Sequence, residues 1–269
     1  MQMNKYEDGH HVISNDNYHN SDGISRSRLM NFQKSPKHYI SPKEFKASSA
    51  MALGSLVHNI LLEPALFDEE FALVPEINKR TKLGRQQFEA FKMEHAGKDL
   101  VTEEQLEIAN SMVRSILQNK DAKALLGHDA LVENSIFWTD QESQLQLKSR
   151  PDLWVRDRGL IIDLKTTADA STWSFSNSAW KYGYFAQAAF ASEALKSLGE
   201  KMTRFVIIAI ENTEPYVPAV YVMDEAAINK AVDKLKFMLM QLKECIDTGY
   251  YPDFGTNLLC APKYSEYDE

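Results

Sequence analysis

KSRPDLWVRDRGLIIDLKTT, residues Lys148–Thr167, is the stretch around which the chain is organised. It predicts two strands, Leu145–Arg156 and Leu160–Thr166, with Asp157-Arg158-Gly159 as the turn. Side chains alternate between the two faces of a strand. Asp163 and Lys165 therefore share one face of the second strand, while Ile162 and Leu164 point the other way, into a core. In the first strand Lys148, Arg150, Asp152 and Trp154 share a face. Packing gives an apolar strand no reason to carry Asp and Lys two apart among Ile and Leu. When the hairpin closes, two carboxylates and an ammonium meet on one surface. Close carboxylates repel unless a cation lies between them, and a hard divalent ion such as Mg²⁺ takes oxygen ligands. The competing explanation is an ordinary Asp–Lys ion pair on a half-exposed hairpin.

The chain around this hairpin has 269 residues, 44% hydrophobic and 25% charged, enough for a sizeable core in one large domain or two small ones. No run of about 18 apolar residues occurs, so no membrane-spanning segment is expected. The first residues, MQMNKYEDGHHVISNDNYHN, lack an apolar signal core, which argues against secretion. Cys245 and Cys260 match no metal-ligand spacing and point to a reducing cytoplasm. A net charge of −8 excludes coating of nucleic acid through the overall field. Any DNA contact has to come from a local basic surface.

Residues 1–22 are polar and expected to be flexible, with His10, His11 and His19 in a loose tail rather than a metal site. GISRSRLMNFQKSPKHY starts a helix that Ser25 or Ser27 caps and Ser35-Pro36 ends. Between Ile24 and Lys46 six Lys or Arg face one acid, Glu44, a candidate phosphate-binding surface or a solvated helix face. Ala50–Glu63 is an amphipathic helix closed by Pro64. Gly54 and His58 share its face, and a mid-helix glycine suggests close approach by another element. By itself His58 there reads as a core histidine. NKRTKLGR (Asn78–Arg85) is a basic loop whose Arg80 and Lys82 are candidate DNA contacts. It leads into a helix, Gln86–His95, and a further helix spans Thr102–Gln118. Leu131–Thr139 predicts a strand carrying Glu133. After the hairpin come a helix at Ala179–Leu198, strands at Thr203–Glu211 and Ala219–Asp224, and a helix at Asp224–Thr248 with Met238 and Met240 as core filler. This order of elements predicts a mixed sheet with helices on both faces.

Together these motifs resemble the PD-(D/E)xK nuclease superfamily. Pro151-Asp152, ten intervening residues, then Asp163-Leu164-Lys165 is similar to its signature. LGSLVHNILLE resembles the GxxxHxxLE helix of the RecB-type branch, with Leu62-Glu63 one residue later than usual. GISRSRLMNFQKSPKHY resembles that branch's N-terminal Ser-x-Ser helix, and IIDLKTT its VDYKT strand. ENSIFWTD with KSRPDLW is most similar to the nuclease domain of RecE-type enzymes (exonuclease VIII) of phage and prophage recombination systems. One departure stands out. The branch carries Gln-x-x-x-Tyr on the helix after the lysine strand, whereas Gln187 is followed by Ala191, with Tyr184 and Phe190 nearby.

The resemblance implies an α/β fold with a PD-(D/E)xK nuclease core, a central mixed β-sheet flanked by helices on both faces, and an N-terminal helical extension. It covers roughly residues 18–255 and implies one nuclease domain, 23–255, between a flexible segment, 1–22, and a C-terminal tail, 256–269. It makes His58 a metal ligand, together with Asp152, Asp163 and the Leu164 carbonyl, for Mg²⁺ with Mn²⁺ as substitute. Glu133 is a further ligand or an acid behind the ligands. Lys165 orients the attacking water or stabilises charge on the phosphoryl oxygens. Gln187, Lys148 and Arg150 hold the DNA backbone, and Ser25, Arg26, Ser27 and Arg28 take a terminal phosphate. The implied activity is 5′→3′ degradation of one strand of linear duplex DNA, leaving a 3′ overhang for strand annealing. The implied partners are double-stranded DNA ends, a RecT-like annealing protein, and further copies of the chain in a ring, a tetramer rather than a trimer. A structure-specific or single-strand endonuclease is the alternative. A non-catalytic DNA-binding module is the second, against which the intact Asp152, Asp163 and Lys165 speak.

Overall fold

The structure, a computed structural model, describes residues 4–41 and 49–259. Lys43, Glu44 and Lys46 of the basic segment, Cys260, and the tail from 260 onward lie outside the described residues. The chain opens with β1 (Gly9–His11), α1 (Asn15–His19), α2 (Arg26–Lys34), α3 (Pro36–Ile40) and α4 (Ser49–Leu62). Then follow α5 (Phe67–Glu70), β2 (Phe71–Leu73), α6 (Lys82–Glu94), β3 (Asp99–Val101), α7 (Glu103–Gln118) and α8 (Lys120–Leu126). Five strands come next: β4 (Leu131–Val132), β5 (Ser135–Thr139), β6 (Gln146–Ser149), β7 (Leu153–Val155) and β8 (Leu160–Thr167). The last elements are α9 (Thr172–Lys181), α10 (Tyr184–Ser197), β9 (Arg204–Glu211), β10 (Pro218–Val222) and α11 (Glu225–Thr248). No single helix among the described residues is long and apolar enough to cross a membrane.

The expected mixed sheet is a five-stranded one, β10-β9-β8-β7-β4, with β8 and β9 parallel and the other neighbours antiparallel. Alternation along β8 and β9 sorts two cores. Ile161, Phe205 and Ile207 pack with Ala188 and Leu195 of α10 and Leu239 and Leu242 of α11. Ile162, Leu164, Val206 and Ile208 pack with Leu56 and Val57 of α4 and Met112 and Ile116 of α7. Each such side chain taken from water stabilises the fold by about 1.5–3 kcal/mol. Asp163 and Lys165 fall on the Ile161 face by the same alternation, as expected. The β7–β8 turn closes through Gly159, at φ 58°, where an added Cβ would meet the Lys201 carbonyl oxygen at 2.1 Å. Glycine is therefore required there, both for the left-handed backbone and for the approach of the neighbouring chain.

The helix caps follow the sequence. Ser25 caps α2, Ser35 ends it and caps α3, and Thr102 forms a capping box with Gln105 at α7. Several expectations are corrected. The helix predicted over Ala179–Leu198 is two, broken at Tyr182-Gly183 where Gly183 is left-handed at φ 71°. Met238 is buried, but Met240 is 46% exposed, because it falls on the outer face of α11. The N-terminal segment is folded rather than loose. β1 pairs with β5, Tyr6 stacks on Phe137 at 4.9 Å, and Tyr18 is buried. A few aromatic anchors outweigh its polar composition.

The largest correction concerns the first strand of the hairpin. It does not run unbroken from Leu145 to Arg156. β6 belongs with β1 and β5 in a three-stranded sheet, while β7 belongs to the five-stranded one. The strand predicted over Leu131–Thr139 breaks at the same level, between β4 and β5. Pro151 has no N–H to give a ladder, and Glu133 takes a left-handed φ of 46°. The two breaks face each other, with the Glu133 N–H donating to the Asp152 carbonyl at 3.0 Å. One ribbon thus bends from one sheet into the other, and the alternation that placed Lys148 and Arg150 beside Asp152 ends at the bend.

Candidate active site

The bend gathers the ionisable groups. β8 carries Asp163 and Lys165, and Asp152 immediately precedes β7. α4 comes close because Gly54 faces Thr166 of β8, with an added Cβ only 3.1 Å from its Oγ1. One helical turn later His58 reaches the acids: its Nε2 lies 2.9 Å from Asp152 Oδ2 and its Nδ1 3.5 Å from Glu133 Oε1. Ligand atoms of His58, Glu133 and Asp152 all lie within 4.8 Å of one another. Asp152 Oδ2 also accepts the Leu164 N–H at 2.7 Å, which fixes it against β8. Asp163 stands beside this triad. Its Oδ1 accepts from Gln187 Nε2 at 2.5 Å, and its Oδ2 contacts the Lys165 ammonium, which lies 3.5 Å from the Leu164 carbonyl oxygen.

The electrostatics follow from three carboxylates in little water. Burial and the Asp152 charge push the carboxyls of Asp163 and Glu133 upward. Burial would raise Asp152 too, but the His58 charge and hydrogen bond, Lys165 and the Leu164 N–H hold it low. Burial lowers His58, yet Asp152 outweighs it and lifts the imidazole to about 9. Burial opposes the charge on Lys165, and Asp163 more than restores it. Carboxylates driven upward by one another form a site that added positive charge relieves. The donor set of carboxylate oxygens, one carbonyl and one imidazole fits a hard divalent cation. His58, Asp152, Asp163 and the Leu164 carbonyl would hold it, with Glu133 in reach.

Other expected site residues are placed differently. Lys148 is buried, and its ammonium donates to the Tyr18 and Ser21 carbonyls at 2.6 and 2.8 Å. Arg150 donates through Nε to the Glu133 carbonyl at 2.8 Å and through Nη2 to the Ile13 carbonyl at 2.6 Å. Both cations tie the N-terminal segment to the bend, and both also line the cleft formed with Ser25, Arg26, Ser27 and Gln187. Gln187 orients Asp163 and also lines a cleft of about 160 Å³ with Ser25, Arg26 and Ser27. Arg26 there donates to the Tyr182 carbonyl at 2.7 Å, and Arg28 stacks over Tyr39. Arg80 and Lys82 are exposed, at the start of an arm that leaves between β2 and β3, two short parallel strands at its base. Sequence reasoning missed the Arg150–Glu133 ion pair at 3.0 Å and the Tyr184 ring 5.4 Å from Lys165. Only the position of Arg150 two residues before Asp152 hinted at the first.

His58→Ala is expected to raise the metal concentration needed for half-maximal activity by more than the about 10–100-fold that loss of a residue behind the ligands costs. A metal titration beside a thermal melt checks this. An unfolded variant that metal does not rescue would make His58 a core residue.

A mixed sheet carrying Asp152, Asp163 and Lys165 at its bend, with a histidine delivered from a flanking helix, defines a PD-(D/E)xK-type nuclease. The chain belongs to the family described as "PDDEXK-like domain of unknown function (DUF3799)", whose profile matches residues 25–260. No curated protein sequence matches it. Among solved structures, a "Putative exonuclease" from Eubacterium rectale shares the fold, at TM-score 0.60 and 13% identity over 95% of this chain and 98% of that one. A phage related exonuclease from Haemophilus somnus is similar at TM-score 0.36 and 15% identity over 85% and 96% of the two chains. An alkaline exonuclease from Laribacter hongkongensis is similar at TM-score 0.33 and 14% identity over 84% and 90%.

Proposed function

We propose that the chain is a divalent-metal-dependent exodeoxyribonuclease that degrades linear duplex DNA 5′→3′ and leaves a 3′ overhang for recombination by strand annealing. The observation that carries this reading is the cluster of His58, Glu133, Asp152, Asp163 and Lys165 at the ribbon bend. The cleft lined by Ser25, Arg26 and Ser27 joins it through Gln187 and supports recognition of a DNA end. When bound, the metal polarises the scissile phosphate and lowers the pKa of a water. Asp152 and Asp163 would hold that charge in place, the first fixed by the Leu164 N–H and the second by Gln187. Lys165 keeps its ammonium beside the Asp163 carboxylate, from where it would stabilise charge growing on the phosphoryl oxygens. The polarity rests on the likeness to RecE-type enzymes.

End-labelled linear duplex, labelled 5′ or 3′, with Mg²⁺ or Mn²⁺ and with EDTA, tests the reading. Loss of the 5′ label first, only with metal, is expected. Cutting of a closed circle would make the chain an endonuclease, and no cutting under any metal would make it a binding module.

An acidic chain gripping DNA needs local basic surface. Charge reversal at Arg80 and Lys82 is expected to weaken binding across all DNA sequences and to flatten the dependence of log affinity on log salt by about 1 per lost phosphate contact. An unchanged slope would leave these residues as solvated arm. A ring, with four copies favoured over three, would present several copies of each basic group around one duplex. Light scattering on the purified chain measures this, and a RecT-like annealing protein working beside it in the cytoplasm is the proposed partner.

A further inference from the structure

Two of the four tryptophans, Trp138 and Trp154, are buried, at 4% and 0% exposed. The other two, Trp173 and Trp180, are 82% and 78% exposed on one helix, α9. Phe175 and Ala179 are the residues by which α9 packs into the core. Its opposite face runs Trp173, Ser176, Asn177, Trp180, Lys181, the i, i+3, i+4, i+7, i+8 stripe that a surface helix normally fills with charge. Trp180 meets the edge of Phe185 at 6.4 Å, yet both indoles keep most of their surface in water.

The surroundings identify what the rings meet. From Ala170 to Ser192 the chain has no Asp or Glu, in a protein with 38 of them. Lys181 is the cation on the stripe, its Nζ 5.4 Å from the ring centre of Tyr182, which is itself 55% exposed. Tyr182 lies 6.3 Å from Tyr184, and Tyr184 carries Lys165 over its ring at 5.4 Å. Tyr182 and Tyr184 thus lead from Lys181, at the end of the stripe, to the site lysine. The segment also lies between β8, which bears Asp163, and the α10 turn that bears Gln187. Ser176 between the rings and Lys181 beside them are residue types depleted at protein–protein interfaces, whereas flat rings with an adjacent cation and no acid in the segment suit bases and their phosphates.

We propose that the α9 face is a stacking platform for unpaired bases of the DNA strand entering or leaving the active site. The two indoles are seven residues apart, about 10 Å along the helix, a span of about three stacked nucleotides. The proposal rests on DNA being the substrate and adds where its single-stranded part lies.

The test uses the whole chain in EDTA, where binding is read without cleavage, and oligothymidylate of about 12 nucleotides as the probe. Because Trp138 and Trp154 are buried, quenching of tryptophan emission reports on Trp173 and Trp180. Quenching is expected on adding the oligonucleotide. Trp173→Ala with Trp180→Ala is expected to lower affinity for labelled oligonucleotide by about tenfold or more, read by anisotropy. Replacing both by Tyr should restore most of it, and replacing both by Leu should not. Equal affinity in the Ala variant, or Leu matching Tyr, overturns the proposal. So does a fall in oligomer mass on light scattering of the Ala variant, which would make the face a contact between copies. A wild-type chain that degrades linear duplex but shows no quenching defeats this inference alone. One that is quenched and binds but never cuts DNA leaves the platform standing and defeats the nuclease reading.

Discussion

Asp152→Ala is expected to abolish cleavage of linear duplex and to remove metal binding measurable by calorimetry. Asp152 is the junction of the cluster: one of its oxygens meets His58 at 2.9 Å and accepts the Leu164 N–H at 2.7 Å. Alanine removes an anionic oxygen from a hard cation's donor set, leaves His58 with Glu133 as its remaining carboxylate, and orphans a buried N–H, a cost of about 1–3 kcal/mol. Asp152→Asn separates these effects. Its amide oxygen can still accept from Leu164, so the fold should hold while the charge is lost. If the Asn variant folds, as its melt should show, and also cuts DNA at the wild-type rate, Asp152 is not a metal ligand. Cleavage by the wild-type chain in EDTA would remove the need for a metal altogether.

Lys165→Ala is expected to reduce turnover by about 10²-fold or more, the loss typical of one transition-state donor, with DNA affinity nearly unchanged. The variant has a second consequence. The Lys165 ammonium opposes the upward push that burial and Asp152 exert on the Asp163 carboxyl. Without it Asp163 holds its proton to higher pH, so metal binding by the variant should shift to higher pH as well. Measuring single-turnover cleavage and metal affinity across pH distinguishes the roles. A variant whose metal affinity shifts but whose rate at saturating metal is normal would make Lys165 an ion-pair partner of Asp163 and no more.

Much of the site is legible from local pattern. Alternation in IIDLKTT puts Asp163 and Lys165 on one face, because period-2 geometry holds wherever a strand is regular. Gly54 signals close approach, since a mid-helix glycine is unfavourable unless something needs the space, and Thr166 fills it. Pattern fails where regularity fails. Nothing local to Glu133 shows that it takes a left-handed backbone, and Pro151 is the one local sign that the strand stops. Carrying the alternation across that proline puts Lys148 and Arg150 on the wrong neighbours. The hydrogen bond from Gln187 to Asp163 is hidden by their separation in sequence, because only the parallel β8–β9 crossover brings the two together. Composition alone discounts the N-terminal segment, though burying Tyr18 and stacking Tyr6 needs only two residues to be apolar.

That last segment has an architectural consequence. Arg150 grips Ile13 on one side and Glu133 on the other, and Lys148 grips Tyr18 and Ser21. The leading stretch therefore behaves as a keystone: it wedges the joint between two sheets at the spot where the acids converge. Trimming it as a dispensable tail would free Arg150 from its outer anchor and let Glu133 swing, so a shortened chain would keep the five-stranded sheet yet lose β1 from the smaller one and with it the spacing of its ligands.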